Sequence, residues 1–170
     1  MYYAFCSEYI PGINECQMAP YDTMHVEFDG LVRQEMAYLL YILVTRRKYF
    51  TLAQLNAAIK SFPWPAGHRM PAIDPKVVEG AKGGVPRSDA HLFSSASQTM
   101  HFAFASELII GGLLPEQAKR EPSWTCWLRH CQYLSIITQH AITRDELPVL
   151  AALITEHQEA FAQVRSTDCH

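Results

Sequence analysis

The sequence lacks both a long apolar run and an excess of basic side chains. No stretch approaches the roughly 18 consecutive apolar residues of a membrane-spanning helix, so we expect no membrane partner. Lysine and arginine total 14 against 17 aspartate and glutamate residues, a net charge of −3, whereas a dedicated nucleic-acid-binding domain normally carries a strong basic excess. The opening stretch MYYAFCSEYIPG lacks the basic end and apolar centre of a signal peptide. These absences favour an intracellular protein, nuclear or cytoplasmic.

Several motifs of common enzyme classes are also missing. There is no Gly-x-Ser-x-Gly element, which excludes a serine hydrolase of the usual kind. The stretch EGAKGG lacks the Gly-Lys-Ser/Thr order of a phosphate-binding loop. The cysteines are few and scattered, so they predict reduced thiols rather than a disulfide framework. They are Cys6, Cys16, Cys126, Cys131 and Cys169.

What the sequence does have is enough apolar residues for a core. Its 170 residues, 49% of them hydrophobic, suit one domain. The spacing predicts a mainly α fold, an irregular bundle of about five helices with long loops and at most one short strand, at residues 2–6. We expect residues 1–21 to be irregular, residues 22–164 to form the helical domain, and residues 165–170 to be a disordered tail.

Apolar residues at three- and four-residue steps predict the first helix, from Val26 to the basic stretch TRRKY. Thr51 with Gln54 predicts a capping box for a second helix, LAQLNAAIKSF. Asp74 followed by Pro75 is typical of an N-cap and first helical position, here of a short helix. Long connections between helices are unusual in a compact bundle, which suggests that something packs against the loops of residues 63–93.

Three further helices follow. SASQTMHFAFASELII is predicted to be helical and to end at Gly111 and Gly112. Ser123 is the expected cap of the next helix, WTCWLRHCQYLSIITQHA. Thr143 with Glu146 offers a capping box for the last helix, although Pro148 offers an alternative start.

The predicted core consists of the apolar residues that recur on one face of each helix. It comprises Leu31, Met36, Leu39, Leu40, Leu43, Leu55, Ile59, Phe102, Leu108, Ile109, Trp127, Leu134, Ile137, Leu150, Leu153, Ile154 and Phe161.

The stretch PYDTMHVEFDG holds the densest cluster of titratable side chains in the sequence: Asp22, His25, Glu27 and Asp29. One interpretation is structural, with Asp22 as an N-cap and the other carboxylates complementing the dipole of the helix N-terminus. The other is functional, with Asp22, His25 and Asp29 around a Mg²⁺ ion, which prefers oxygen ligands. Local physics favours the structural interpretation.

Cys126, His130 and Cys131 have the residue types of a zinc site. Cys126 and His130 share a helix face, but Cys131 lies about 100° further round, and a closed site needs a fourth ligand. We therefore expect Cys131 to be a core residue and His130 to be partly exposed.

The remaining helical histidines, His101, His140 and His157, are isolated and are expected to be surface or satisfied core residues. His157 with Glu156 and Glu159 is most simply a solvated helix face.

Basic residues in the loop region give a candidate nucleic-acid contact. Lys76, Lys82 and Arg87 could bind a phosphate backbone, but a flexible, solvated loop is the favoured interpretation.

Four stretches, in this order, resemble eukaryotic DNA transposases of the Plavaka and Kyakuja-Dileera-Zisupton type. The first contains an Asp-x-x-His element, and the last ends in Leu-Ile-x-Glu-His. Together they cover about residues 20–164. They are YDTMHVEFDGLVRQEMAYLL, YFTLAQLNAAIKSFPWP, SASQTMHFAFASELIIGGLLP and WLRHCQYLSIITQHAITRDELPVLAALITEHQEAF.

The resemblance implies an RNase-H-like enzyme that cleaves and joins DNA with two metal ions. In such an enzyme a helical insertion interrupts the catalytic domain, and this chain matches that insertion. Asp22 and His25 match the Asp-x-x-His element, a catalytic remnant, and Asp29 stands where the family shows glutamate, before Gly30. The first two catalytic aspartates and the final glutamate have no match here. The chain is therefore expected to be a transposase-derived fragment, inert alone and without a cofactor, whereas its parent would use Mg²⁺ and bind DNA.

Two alternatives remain open. One is a small Mg²⁺-dependent nuclease in which Asp22, His25, Glu27 and Asp29 suffice. The other is a helical interaction module with no DNA role, which would form a homo-oligomer through an exposed apolar patch.

Overall fold

The computed structural model describes residues 23–80 and 90–168. Within these residues the fold is mainly helical and contains no strand, as the sequence predicts. The predicted strand at residues 2–6 lies outside the described residues. The helices are α1 (Met24–Arg46), α2 (Leu52–Ser61), α3 (Pro75–Val78), α4 (Ala96–Ile109), α5 (Pro122–Ile137) and α6 (Glu146–Asp168), with a 3₁₀ turn at Glu116–Arg120.

Helix α1 is continuous but not uniform. Its first segment, Met24–Leu31, and its last, Tyr41–Arg46, are π-helical, and Val32–Leu40 between them is α-helical. The wider winding is seen where the N–H of Val32 donates to the carbonyl of Glu27, five residues back. Because π-helical turns are usually short and often occur at functional sites, the first segment is of interest for the site described below.

The winding changes which residues of α1 share a face. In a regular α-helix, Glu27 and Glu35 would point about 80° apart. With about 4.4 residues per turn over the π-helical part, that difference falls to about 10°. Glu27 and Glu35 are accordingly both buried, whereas the structural interpretation of the sequence took Glu27 only as a first-turn charge that complements the helix dipole.

The ends of the first two helices agree with their predicted signals. Helix α1 ends at Arg46, and Lys48 adopts a left-handed conformation with φ of 54°, which is typical just after a helix C-terminus. Thr51 and Gln54 form the predicted capping box of α2. Asp74 caps α3 by accepting from the Lys76 N–H at 2.8 Å.

Helix α4 begins with a capping box between Ser95 and Gln98 and ends at the predicted glycines. The N–H of Gly111 donates to the Ser106 carbonyl. A Cβ atom on Gly111 would lie 2.1 Å from the Glu107 carbonyl oxygen, so only glycine fits there.

Helices α5 and α6 pack along each other in opposite directions. Cys126, early in α5, contacts the carbonyl of His157 in the middle of α6 and shares an apolar cluster with Val164 near the end of α6. The prediction that Ser123 caps α5 is wrong. The helix already begins at Pro122, a residue suited to a first helical position. Helix α6 begins at Glu146, not at Pro148. The Glu146 carboxylate accepts a hydrogen bond from the Thr143 N–H.

The disordered tail predicted from residue 165 starts before the last helix ends. Helix α6 continues through Asp168, so residues 165–168 are helical. Residues 169–170 lie outside the described part of the chain.

The core lies between α1 and the helices around it, and most predicted core residues are found there. Ten are buried, and Ile137, Leu150, Leu153, Ile154 and Phe161 are partly buried against the core. Two predictions are wrong: Leu31 is 50% exposed and Leu108 is 72% exposed. Leu31 lies at the end of the π-helical segment, where 3.6-residue spacing no longer gives the face of a residue.

The long connection after α2 packs against its own helix. The Asn56 side-chain amide accepts from the Ile73 N–H at 2.7 Å and donates to the Ile73 carbonyl at 3.2 Å. The Trp64 indole N–H donates to the Ile59 carbonyl at 2.7 Å. Met70 and Ile73 are buried in the core. The described part of this loop, up to residue 80, is therefore packed against the chain's own helices.

Among residues 23–80 and 90–168, none of the helices combines the length and apolar character that crossing a membrane requires.

Replacing Leu40 by alanine tests the core assignment, because this side chain is fully buried. We expect the free energy of unfolding to fall by about 2–5 kcal/mol. Leu108→Ala is the matched control, since Leu108 is also helical and was predicted to be buried; its exposed side chain should change stability by less than about 0.5 kcal/mol. Urea denaturation measures both variants, and equal losses would contradict the burial described above.

Candidate functional site

A groove of about 880 Å³ runs between α1, α5 and α6. Its walls are mostly apolar and include Leu31, Ile137, Leu150 and Ile154, while acidic and histidine side chains also line it. A concave apolar surface with a few convergent polar groups is the usual form of a ligand site. The polar group within this groove is therefore the first candidate for chemistry.

The centre of the polar group is the buried carboxylate of Glu35 on α1. Its Oε2 lies 2.6 Å from His130 Nδ1 on α5. Its two oxygens lie 2.9 and 3.0 Å from His157 Nε2 on α6. One carboxylate thus links three helices through two imidazole rings, whose centroids are 4.5 Å apart. We call Glu35, His130 and His157 the Glu-His-His cluster.

A second carboxylate lies on the far side of His130. Glu27 Oε2 is 3.5 Å from His130 Nε2, too long for a well-formed hydrogen bond but close enough for electrostatic attraction. The Tyr133 hydroxyl donates to the same Glu27 oxygen at 3.2 Å, and the Tyr133 ring stacks on His130. His130 is therefore held between two carboxylates from the same face of α1.

The charges of Glu35 and His130 stabilise each other. Burial opposes ionisation of Glu35, but the hydrogen bonds from His130 and His157 outweigh it and hold the pKa of this carboxyl below its usual value. Burial likewise opposes protonation of His130, yet the carboxylates of Glu27 and Glu35 raise the pKa of its imidazole. The contacts thus favour an ionised Glu35 beside a protonated His130.

The nearby cysteines are poor nucleophiles. Cys126 Sγ lies 4.0 Å from Glu35 Oε1. Burial first, and then the Glu35 charge, raises the pKa of the Cys126 thiol to about 12. Burial raises the pKa of Cys131 to about 12 as well. Since the thiolate is the reactive form, neither residue is suited to nucleophilic catalysis.

The metal site predicted near the start of α1 lies only partly within the described residues. Asp22 lies outside them, so its pairing with His25 stays a prediction. His25 is exposed. Asp29 forms an ion pair of 2.9 Å with Arg33, one turn further along α1, and this explains its place without a metal. Within residues 23–80 and 90–168, only the Glu-His-His cluster brings three such side chains close enough to hold an ion.

Of the three predicted nucleic-acid contacts, one lies within the described residues. Lys76 is exposed on the short helix α3. Lys82 and Arg87 lie outside the described residues. The three therefore stay predictions.

The sequence predictions for two cluster residues are wrong. His130 is fully buried rather than partly exposed, and His157 is 7% exposed rather than part of a solvated face. Glu156 and Glu159 beside it are exposed, as expected. Of the other histidines, His101 is satisfied by the Ser97 carbonyl at 2.7 Å.

One signal could have found the cluster. Glu35 lies three residues after Val32 and four before Leu39, so it falls on the apolar face of α1. His130 has the same relation to Trp127 and Leu134. His157 has it to Ile154 and Phe161. A polar residue within each of three apolar stripes indicates that those helices meet around a polar site.

Comparison with known proteins does not assign this chain to a family. No protein-family model matches the chain, and neither a curated protein nor a solved structure does so.

Glu35→Gln tests how strongly the cluster holds the three helices together. The amide keeps the size of the carboxylate but removes its charge, so we expect unfolding to become easier by about 2–3 kcal/mol in chelator-containing buffer. Glu156→Gln on the exposed face of α6 is the control and should stay within about 0.5 kcal/mol of the parent. A Glu35→Gln variant as stable as this control would show that the charged network contributes nothing to stability.

Proposed function

We propose that this chain is a transposase-derived helical unit, the insertion region of an RNase-H-like DNA transposase, and that it does not cleave DNA by itself. The support is the ordered resemblance of four stretches, together with where those stretches lie in the fold. Each overlaps a helix: the first α1, the second α2, the third α4, and the last α5 and α6.

One observation carries the proposal. The first and last of the four stretches are about 90 residues apart in sequence, yet they meet at the Glu-His-His cluster. Glu35 belongs to the first stretch, and His130 and His157 to the last. His157 is the histidine of the Leu-Ile-x-Glu-His motif. A resemblance spread along the chain therefore describes one packed unit.

The proposed lack of cleavage follows from the number of carboxylates that could bind the catalytic metal ions. Two-metal cleavage of a phosphodiester needs several acidic groups that converge on a pair of metal ions. The buried acids Glu27 and Glu35 are engaged by Tyr133 and by the two histidines. The acidic residues for cleavage, and the Mg²⁺ they hold, would come from the parts of the parent that the four stretches do not match.

A helical interaction module is the second candidate, and one observation favours it. That alternative predicts an exposed apolar patch on residues 26–44 or 124–137. Val26 and Leu31 on α1 are 37% and 50% exposed and line the groove. A stable oligomer seen by light scattering would favour this function over the transposase unit.

A plasmid-nicking assay tests the expected lack of catalysis. We expect no conversion of supercoiled to open-circular DNA by the chain with Mg²⁺ or Mn²⁺, and the same result for Asp22→Ala. A pancreatic nuclease serves as the positive control. Nicking by the wild-type chain that disappears in Asp22→Ala would instead establish the small metal-dependent nuclease.

The genomic sequence on both sides of the reading frame tests the transposase origin directly. We expect strand-forming segments with aspartates upstream and a His-His segment followed by glutamate downstream, since those elements complete the acidic site of such an enzyme. Flanks that lack both, with a promoter and stop codon at the present boundaries, would contradict this origin.

A further inference from the structure

We propose that Glu35, His130 and His157 bind one divalent transition-metal ion of the Zn²⁺ class, with a remaining coordination position open to the groove between α1, α5 and α6. This site differs from the Mg²⁺ site predicted around Asp22, and it does not depend on the transposase origin.

The donor atoms have the required types and spacing. One oxygen of Glu35 and one ring nitrogen of each histidine lie within 4.8 Å of one another. Zn²⁺ binds imidazole nitrogen and carboxylate oxygen at about 2.0–2.2 Å, which places neighbouring donors about 3.3 Å apart. The His130 Nδ1–Glu35 Oε2 distance of 2.6 Å therefore has to open by less than about 1 Å to admit an ion.

The donor set selects the class of ion. Two imidazoles with one carboxylate suit zinc and neighbouring transition metals, whereas Mg²⁺ prefers oxygen ligands throughout. Two histidines and one glutamate, with a position left open, form a known arrangement of zinc sites that bind an exchangeable ligand.

The surroundings of His130 add an independent observation. A histidine that binds a metal commonly donates its other ring N–H to a carboxylate, which fixes the ring and its tautomer. With Nδ1 on the ion, Nε2 of His130 carries the proton and faces Glu27 Oε2 at 3.5 Å. Tyr133 in turn positions that carboxylate by donating to it. The second carboxylate thus lies where a supporting group for a metal-bound histidine belongs.

The site is accessible as well as buried. All three ligands line the groove, so an ion and a small further ligand can reach the cluster from solution. The fourth position would then hold water or a small anion against apolar walls formed by residues such as Ile154 and Phe161.

The test is Zn²⁺ and Co²⁺ binding to the metal-free chain, measured by competition with a chromophoric chelator and by visible absorption. We expect one ion per chain and a Co²⁺ spectrum of low-symmetry, four-coordinate type. His157→Gln should abolish this binding. Glu27→Gln, which removes only the support of His130, should weaken it about 10–100-fold. His140→Gln is the control, because His140 is exposed outside the groove, and it should bind like the wild type.

X-ray absorption on the zinc-loaded wild-type chain keeps the test independent of how the variants fold. We expect nitrogen and oxygen neighbours, two of them imidazoles, and no sulfur. Absence of binding at micromolar Zn²⁺, sulfur in the first shell, or wild-type affinity in a folded His157→Gln variant would each overturn the site. A Co²⁺ spectrum that azide leaves unchanged would overturn the open position.

Discussion

The structure depends on one buried carboxylate. Glu35 carries its charge into the space between three helices, where an uncompensated ion would cost several kcal/mol. It is tolerated because α5 and α6 each present a histidine to it, at 2.6 and 2.9 Å. Those short distances require α1, α5 and α6 to take one relative register, because sliding any of them by a residue would leave the charge without its partners. The apolar contacts around the cluster favour close packing, but they are less selective about register.

The π-helical start of α1 belongs to the same constraint. Wider winding is normally less favourable than α-helix and therefore occurs in short segments. Here it turns Glu27 onto the face of Glu35, where Tyr133 and His130 meet it. It also turns Leu31 outward, where this leucine forms part of the groove wall. A local change in winding thus makes both the second carboxylate of the site and the apolar wall beside it.

Much of the fold could be predicted from local signals, whereas the pairing of the site residues could not. The capping box of Thr51, the cap at Asp74 and the glycine stop at Gly111 are interactions within a few residues, and all three are found where the sequence places them. His130 and His157 contact Glu35 from 95 and 122 residues away. No local pattern gives such a pairing. Assuming 3.6-residue winding also misplaced Leu31, because the sequence MHVEFDGL carries no evident sign of π-helix.

Whether protons or a metal ion balance the buried carboxylates decides what kind of site the groove contains. Protonated histidines would make the cluster a buried ion pair, since His130 and His157 would donate to the Glu35 carboxylate. A metal ion would use the same nitrogens as donors and would still have an open position facing the groove. The Tyr133–Glu27–His130 chain favours the metal by its geometry, because the Glu27 carboxylate lies beside Nε2 of His130, where it can accept the ring proton of a histidine that binds an ion through Nδ1. The position of the second carboxylate therefore supports a metal-bound His130.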